Sequence, residues 1–309
     1  MLALLLAVTA FAPARHLLGD KNRTYLSPDG WPLRGQAALV VGNDAPAASP
    51  HEQPAPIASL AKVMTAYLTL KRYPLSGAQE GFTITVTAAQ AEVYSQDAAQ
   101  GQSDVAVQAG EQLTERQLLE ALLIPSGNNI ARMLAALVAG SEERFLAEMN
   151  AESRSLGMDH TTYTDPSGFD PATVSTAADQ LRVFQQAMRF PVFRQIVSMP
   201  SVTLPVAGTV TNYDPLITDG YAGKTGSDSA AKGCLAFFTH VTVGRHRLTA
   251  VGVVMGQGEG SDTSALLAAA GEAAEHLVAS VVPARSATAT PMALRAPGVR
   301  LGSGASKRR

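Results

Sequence analysis

The chain has 309 residues, 46% of them hydrophobic and 16% charged, which supports one or two domains with a substantial core and excludes a wholly disordered polymer. Its 24 basic and 26 acidic groups leave a net charge of −2, with no broad positive field for nucleic acid. A single cysteine, Cys234, rules out an internal disulfide or a multi-thiolate metal site, and the six histidines show no HExxH or CxxC context, so neither a metal nor a cofactor is implied.

In chain order, Leu2–Ala12 is almost wholly apolar and runs into Ala12-Pro13-Ala14, the pattern of a secretory leader with a small-x-small cleavage site. Residues 1–14 are therefore expected to be a leader or anchor segment, 15–34 a lead-in, 35–282 the folded body and 283–309 a disordered tail. Export to the periplasm or the outer face of the cell membrane follows from that leader, although a buried N-terminal helix would carry the same apolar run. The tail carries six basic groups and no acid, leaving 18 basic against 26 acidic groups on the rest. Such a tail suits either simple solvation or weak contact with anionic wall polymer or lipid headgroups.

Within the body, Ala37–Val41 reads as a buried strand ending at Gly42-Asn43-Asp44. After a proline-rich loop, Ser59–Leu70 has no Gly or Pro and places Leu60, Val63, Met64, Tyr67 and Leu68 at helical spacing, with Ser59 in the first turn. Phe82–Thr87 alternates like a strand. Thr114–Leu123 and Asn129–Val138 read as helices separated by Pro125-Ser126-Gly127, and Glu142–Leu156 as a helix stopped by Gly157. Thr176–Met188 is helical in pattern, Cys234–Val243 and Arg247–Val254 form a hairpin, and Ser264–Val282 is a closing helix. This order predicts an α+β fold, an antiparallel sheet domain interrupted by an all-helical insertion. Cys234, between apolar neighbours in a strand pattern, reads as a small buried hydrophobe.

Three short motifs carry the chemistry: Ser59-Leu60-Ala61-Lys62, Ser126-Gly127-Asn128 and Lys224-Thr225-Gly226. Positions i and i+3 share a helix face, so the Lys62 amine can reach the Ser59 hydroxyl. A serine is a weak nucleophile until a base takes its proton, and a lysine becomes such a base when burial and a second cation lower its pKa. Lys224 is a candidate for that cation. Ser126 would relay a proton to the leaving group, and the Asn128 amide would hold Lys62 and a substrate carbonyl. Lys224 and Thr225 would meet a substrate carboxylate, with Gly226 admitting close approach of backbone to ligand. Each motif alone is an ordinary capping serine, turn or basic loop; the three in this order, each in a suitable element, are what point to acyl transfer.

At these residues the chain resembles the penicillin-binding D-alanyl-D-alanine carboxypeptidases of the β-lactamase/transpeptidase-like superfamily. The likeness extends through Pro56-Ile57-Ala58 and Val63-Met64-Thr65-Ala66, through Leu122-Leu123-Ile124-Pro125, through Leu156-Gly157-Met158 and Asp165-Pro166-Ser167-Gly168, and through Ser175-Thr176-Ala177 with Asp179. The resemblance covers roughly residues 35–280. It implies that Ser59 attacks the carbonyl between two terminal D-alanines of a peptidoglycan stem peptide, that water hydrolyses the acyl-enzyme, and that β-lactams acylate the same hydroxyl. It also implies that Lys62 is the acylation base and that the N–H groups of Ser59 and Ser227 form the oxyanion hole. Asn129, Ser227 and Val174 depart from the residues usual in the family at those places.

Alternatives of other kinds remain at the level of sequence. A D,D-endopeptidase cutting cross-links would use the same residues. A class A β-lactamase would need a Glu-x-x-Leu-Asn loop between Asn128 and Lys224, and none is found. An inactive wall-binding or β-lactam-sensing module would be expected to have lost a catalytic residue, and all three motifs are complete.

Overall fold

The apolar run near the start of the body becomes strand β1 (Gln36–Val41), every residue of which is buried. Its alternation divides it between two cores. Ala37, Leu39 and Val41 join one apolar cluster, Ala38 and Val40 the other, as a strand covered on both faces requires. The computed structural model describes residues 24–26, 28–99 and 102–283. The expected leader over 1–14 and all but the first residue of the basic tail lie outside them.

After β2 (Ala47–Ala48) the chain leaves the sheet for a long helical excursion: α1 (Ala61–Arg72), α2 (Ala88–Ala99), α3 (Glu115–Leu123), α4 (Asn128–Ala139), α5 (Glu142–Ser155), α6 (Ala177–Ala187) and α7 (Pro191–Val197). It returns as β3 (Ala222–Asp228), β4 (Lys232–Val243) and β5 (His246–Gln257), and closes with α8 (Thr263–Ala279). The five strands run β3-β4-β5-β1-β2, all antiparallel, so β3 is an edge strand. Helix α8 covers one face, while α6 covers the other and α1 packs behind it. The α+β architecture with a helical insertion is the one the element order predicted.

Local chemistry explains most boundaries. Thr114 caps α3 in a reciprocal box with Gln117, Thr176 caps α6 by accepting from Asp179 N, and Asp262 caps α8 by accepting from Ala265 N. Gly140, in the left-handed region, ends α4. Gly244-Arg245 turns the hairpin between the paired residues Val243 and His246. Cys234 is fully buried.

Several expectations shift. Ser59 lies in a single 3-10 turn, Ala58–Leu60, before α1 rather than inside it. The closing helix stops at Ala279, and Val281–Pro283 instead forms a strand pair with Thr24–Leu26. The strand expected over Phe82–Thr87 shortens to Thr83–Thr85, paired with Gln112–Thr114. Helices α2 and α7 and the hairpin Ser201–Leu204/Gly208–Thr211 carry too little apolar periodicity to have been anticipated. Among the described residues no helix is long and apolar enough to cross a membrane.

Two short contacts hold the turn that carries Ser59. Ala55–Pro56 pairs with Val174–Ser175, and Ile57 N donates to Thr173 O. Ala58 then takes a left-handed φ of 45°, and Gly168, itself at 81°, sits directly against the Ala58 carbonyl. A Cβ at Gly168 would run into that oxygen, so this position needs glycine for both its dihedral and its space. Gly168→Ala is expected to destabilise the protein by at least about 2 kcal/mol, read as a lowered urea midpoint with an unchanged slope. An unchanged midpoint would contradict the close packing described here.

Candidate active site

Because α1 begins directly after the 3-10 turn, Ser59 and Lys62 fall on one side of the chain three residues apart, and Lys62 Nζ lies 2.8 Å from Ser59 Oγ. The same amine donates to Asn128 Oδ1 at 2.7 Å and to the Ser167 carbonyl at 2.9 Å. Both of those oxygens only accept. An uncharged amine has two N–H bonds and one lone pair, so with both hydrogens committed the lone pair is left facing the serine hydroxyl. That arrangement can take the proton of Ser59 as it attacks.

The charge state agrees. Lys62 is 0% exposed. Burial first, and the positive charge of Lys224 second, hold it well below the ordinary lysine range, while Asp165 and Asp104 pull the other way. Lys224 is 1% exposed, and burial lowers it to about 7 against the opposing pull of Asp214. Two amines thus share one dry region, which favours neutrality for at least one of them.

The remaining predicted residues converge on the same place. A cleft of about 220 Å³ is lined by Ser59, Ser126, Thr225, Gly226 and Ser227, together with Ser103, Tyr213, Thr263 and Leu267. Ser126 takes a left-handed φ of 65°, and its buried hydroxyl makes no hydrogen bond within the protein. A strained serine with a free hydroxyl at a cleft wall suits a proton relay.

Strand alternation separates the third motif. Gly226 faces the Ser59 turn, its backbone so near that a Cβ there would stand 3.0 Å from Ile57 O and 3.1 Å from Ser59 N. Close packing against the protein's own backbone, rather than only approach to a ligand, is therefore what Gly226 permits. Lys224 shares that face, does not line the cleft, and donates to the Thr225 carbonyl at 2.8 Å. Thr225 and Ser227 point the other way and form the cleft wall. Lys224 thus stands behind the wall that carries Thr225, close enough for its charge to act on Lys62.

Other contributors lie outside the three motifs. Asp165 accepts from Ser167 N at 2.6 Å, Ser167 Oγ at 2.6 Å and Gly168 N at 2.7 Å, which shapes the loop presenting the Ser167 carbonyl. Burial would raise Asp165, but these bonds outweigh it and hold the carboxyl below its ordinary value. Asn129 bonds both ways to Val105, accepting from its N at 3.0 Å and donating to its O at 2.8 Å. A carboxylate could not make the second bond, so the amide fits where relatives usually carry an acid. Asp104 supplies a carboxylate nearby instead. Among the described residues no cluster of His, Cys, Asp or Glu is arranged to hold a metal ion.

A family model described as D-alanyl-D-alanine carboxypeptidase, Peptidase_S11, matches residues 42–258, well over half of the chain. The chain belongs to this family. Among curated relatives, the D-alanyl-D-alanine carboxypeptidase DacB2 of Mycobacterium tuberculosis is 39% identical over 137 residues, covering 41% of this chain and 47% of the relative. The D-alanyl-D-alanine endopeptidase of Escherichia coli is 30% identical over 199 residues, covering 60% of this chain and 59% of the relative. The aligned stretches thus span about half the length of these relatives. Of solved structures, a variant of the Streptomyces K15 DD-transpeptidase superposes with a TM-score of 0.66 at 25% identity, covering 80% of this chain and 98% of that one.

The buried amines of this Peptidase_S11 member make a prediction about stability. A lysine whose folded pKa lies below its unfolded one gives up its proton on folding at any pH between the two, so the unfolded chain holds more protons and stability rises with pH across that window. For Lys224 the window runs from about 7 up to the ordinary lysine value. Between about pH 7 and pH 9, urea unfolding should show the wild-type chain gaining on the order of 2 kcal/mol relative to Lys224→Met. Parallel pH profiles for the two proteins would refute the lowered value.

Proposed function

We propose that this protein is a serine D,D-peptidase that removes the terminal D-alanine from peptidoglycan stem peptides through an acyl-enzyme on Ser59, and that β-lactams acylate the same hydroxyl. The observation that carries the reading is the buried Lys62 amine, its pKa pulled well below the ordinary range, held between Asn128 Oδ1, the Ser167 carbonyl and Ser59 Oγ.

In this reading the Lys62 lone pair takes the Ser59 proton as Oγ attacks the penultimate D-alanine carbonyl. The developing oxyanion is met by the N–H groups of Ser59 and Ser227, donors fixed by the 3-10 turn and the edge strand, so they need no reorganisation. The Ser126 hydroxyl gives its proton to the leaving amine and takes in exchange the one Lys62 received from Ser59, so D-alanine departs with Lys62 neutral and Ser126 protonated again. Thr225, backed by the charge of Lys224, binds the terminal carboxylate. Water then attacks the acyl-enzyme, Lys62 removes its proton, and Ser59 is restored. The outer edge of β3, which has no strand partner among the described residues, is suited to an extended peptide lying alongside it.

Endopeptidase cutting of D,D cross-links is the second reading, favoured by the two relatives named as D-alanyl-D-alanine endopeptidases. The leader-like Leu2–Ala12 run supports action outside the cytoplasmic membrane, where stem peptides are exposed. With no Glu-x-x-Leu-Asn loop to activate water, the penicilloyl-enzyme is expected to persist for minutes or longer.

The decisive assay incubates the protein with diacetyl-lysyl-D-alanyl-D-alanine and, separately, with a cross-linked muropeptide, reading products by mass. Loss of one D-alanine from the first with an intact cross-link in the second assigns carboxypeptidase action. Ser59→Ala should abolish product formation and covalent labelling by fluorescent penicillin, and Lys62→Ala should slow labelling by at least about a hundredfold while the chain stays folded. Labelling of Lys62→Ala at the parental rate would exclude it as the base, and steady turnover of benzylpenicillin at tens per second would make the enzyme a β-lactamase.

A further inference from the structure

Behind Asn128, Gln102, Asp97 and Arg132 close a ring of polar contacts, which Asn128 joins at Gln102. Asn128 Nδ2 donates to Gln102 Oε1 at 3.1 Å, and Arg132 Nη2 donates to the same oxygen at 3.3 Å. Gln102 Nε2 donates to Asp97 Oδ1 at 3.2 Å, and Arg132 Nη2 lies 2.6 Å from Asp97 Oδ2 in an ion pair. Asn128 and Arg132 stand four residues apart on α4 and so share a face. The segment bearing Gln102 is held against the start of that helix by Asn128 N, which donates to Ser103 O at 2.7 Å.

This ring admits one orientation of each amide. Reversing Gln102 would set its NH2 group against a guanidinium and a second NH2, and its oxygen against a carboxylate. With the Gln102 oxygen fixed as an acceptor, Asn128 must turn its NH2 group toward it and its carbonyl oxygen toward Lys62. A reversed Asn128 would instead donate to the Lys62 lone pair, the electron pair that Ser59 needs. We propose that Gln102, itself held by the Asp97–Arg132 ion pair, is a positioning residue for acyl transfer. It locks the Asn128 amide so that the Lys62 lone pair stays directed at Ser59. This inference rests on the serine-peptidase reading above and adds to it a residue outside all three motifs.

The test measures covalent labelling by fluorescent penicillin under saturating conditions, which separates pre-covalent binding from the rate of acylation. Gln102→Met keeps the length of the side chain and removes the acceptor. It should acylate at least about tenfold more slowly with pre-covalent binding unchanged. Gln102→Glu keeps the acceptor toward Asn128 and Arg132 but sets its second oxygen against Asp97, so it should recover part of the rate lost in Gln102→Met, with its acid limb moved to higher pH because the added negative charge favours protonated Lys62. Asp97→Asn, which loosens the hold on Gln102, should slow acylation about threefold or more and serves if Gln102→Met fails to fold. Acylation by Gln102→Met or Asp97→Asn within twofold of the parent, or equal losses in the Met and Glu variants, would overturn the proposal. A parent protein that is not labelled at all would instead remove the peptidase reading, and the proposal with it.

Discussion

The site depends on one fully buried lysine, Lys62, whose amine is held by three polar partners. Taking an ammonium group out of water is costly, and that cost pulls the Lys62 pKa well below the ordinary lysine range while three partners hold the amine. Those partners come from three separate stretches: the turn before α1, the first residue of α4, and the loop after α5. Assembly of the helical region therefore also brings the partners of Lys62 together. An error in packing any of the three leaves a buried polar group unpaired, so the site is either complete or energetically penalised.

What was legible in the sequence and what was not follows from the range of each interaction. Helices α1, α3, α4, α5 and α6 were readable because apolar spacing, caps and glycine stops are local. Ser59 and Lys62 were readable because their contact spans three residues, and the structure preserves it although a 3-10 turn replaces the expected helical one. Gln102 and Asp214 were not readable, since each acts on a partner distant in sequence and neither belongs to a periodic pattern; the Asp165–Gly168 turn was marked by resemblance, but not the meeting of its Ser167 carbonyl with Lys62. The third motif shows an intermediate case. A strand sends neighbours to opposite faces, so Thr225 lines the cleft while Lys224 stands behind it, a division that the linear string does not display.

The departures from the family pattern are accommodated without disturbing this arrangement. Asn129 exchanges a charge for a two-way amide bond to Val105. Val174 sits where strand pairing with Pro56 and bridging to Thr162 ask for an extended, β-branched residue, which is a structural demand rather than a chemical one. Ser227 lies on the cleft wall and keeps a small hydroxyl beside Thr225.

The pairing of Thr24–Leu26 with Val281–Pro283 brings the two ends of the described body side by side, far from each other in sequence and adjacent in space. Joining them through a short linker and reopening the chain at the exposed Gly244-Arg245 turn would give a circular permutant in which every strand neighbour of the main sheet is retained. In such a rearranged chain the two long strands of the hairpin would no longer be joined by their turn, so their association would be set by sheet packing alone.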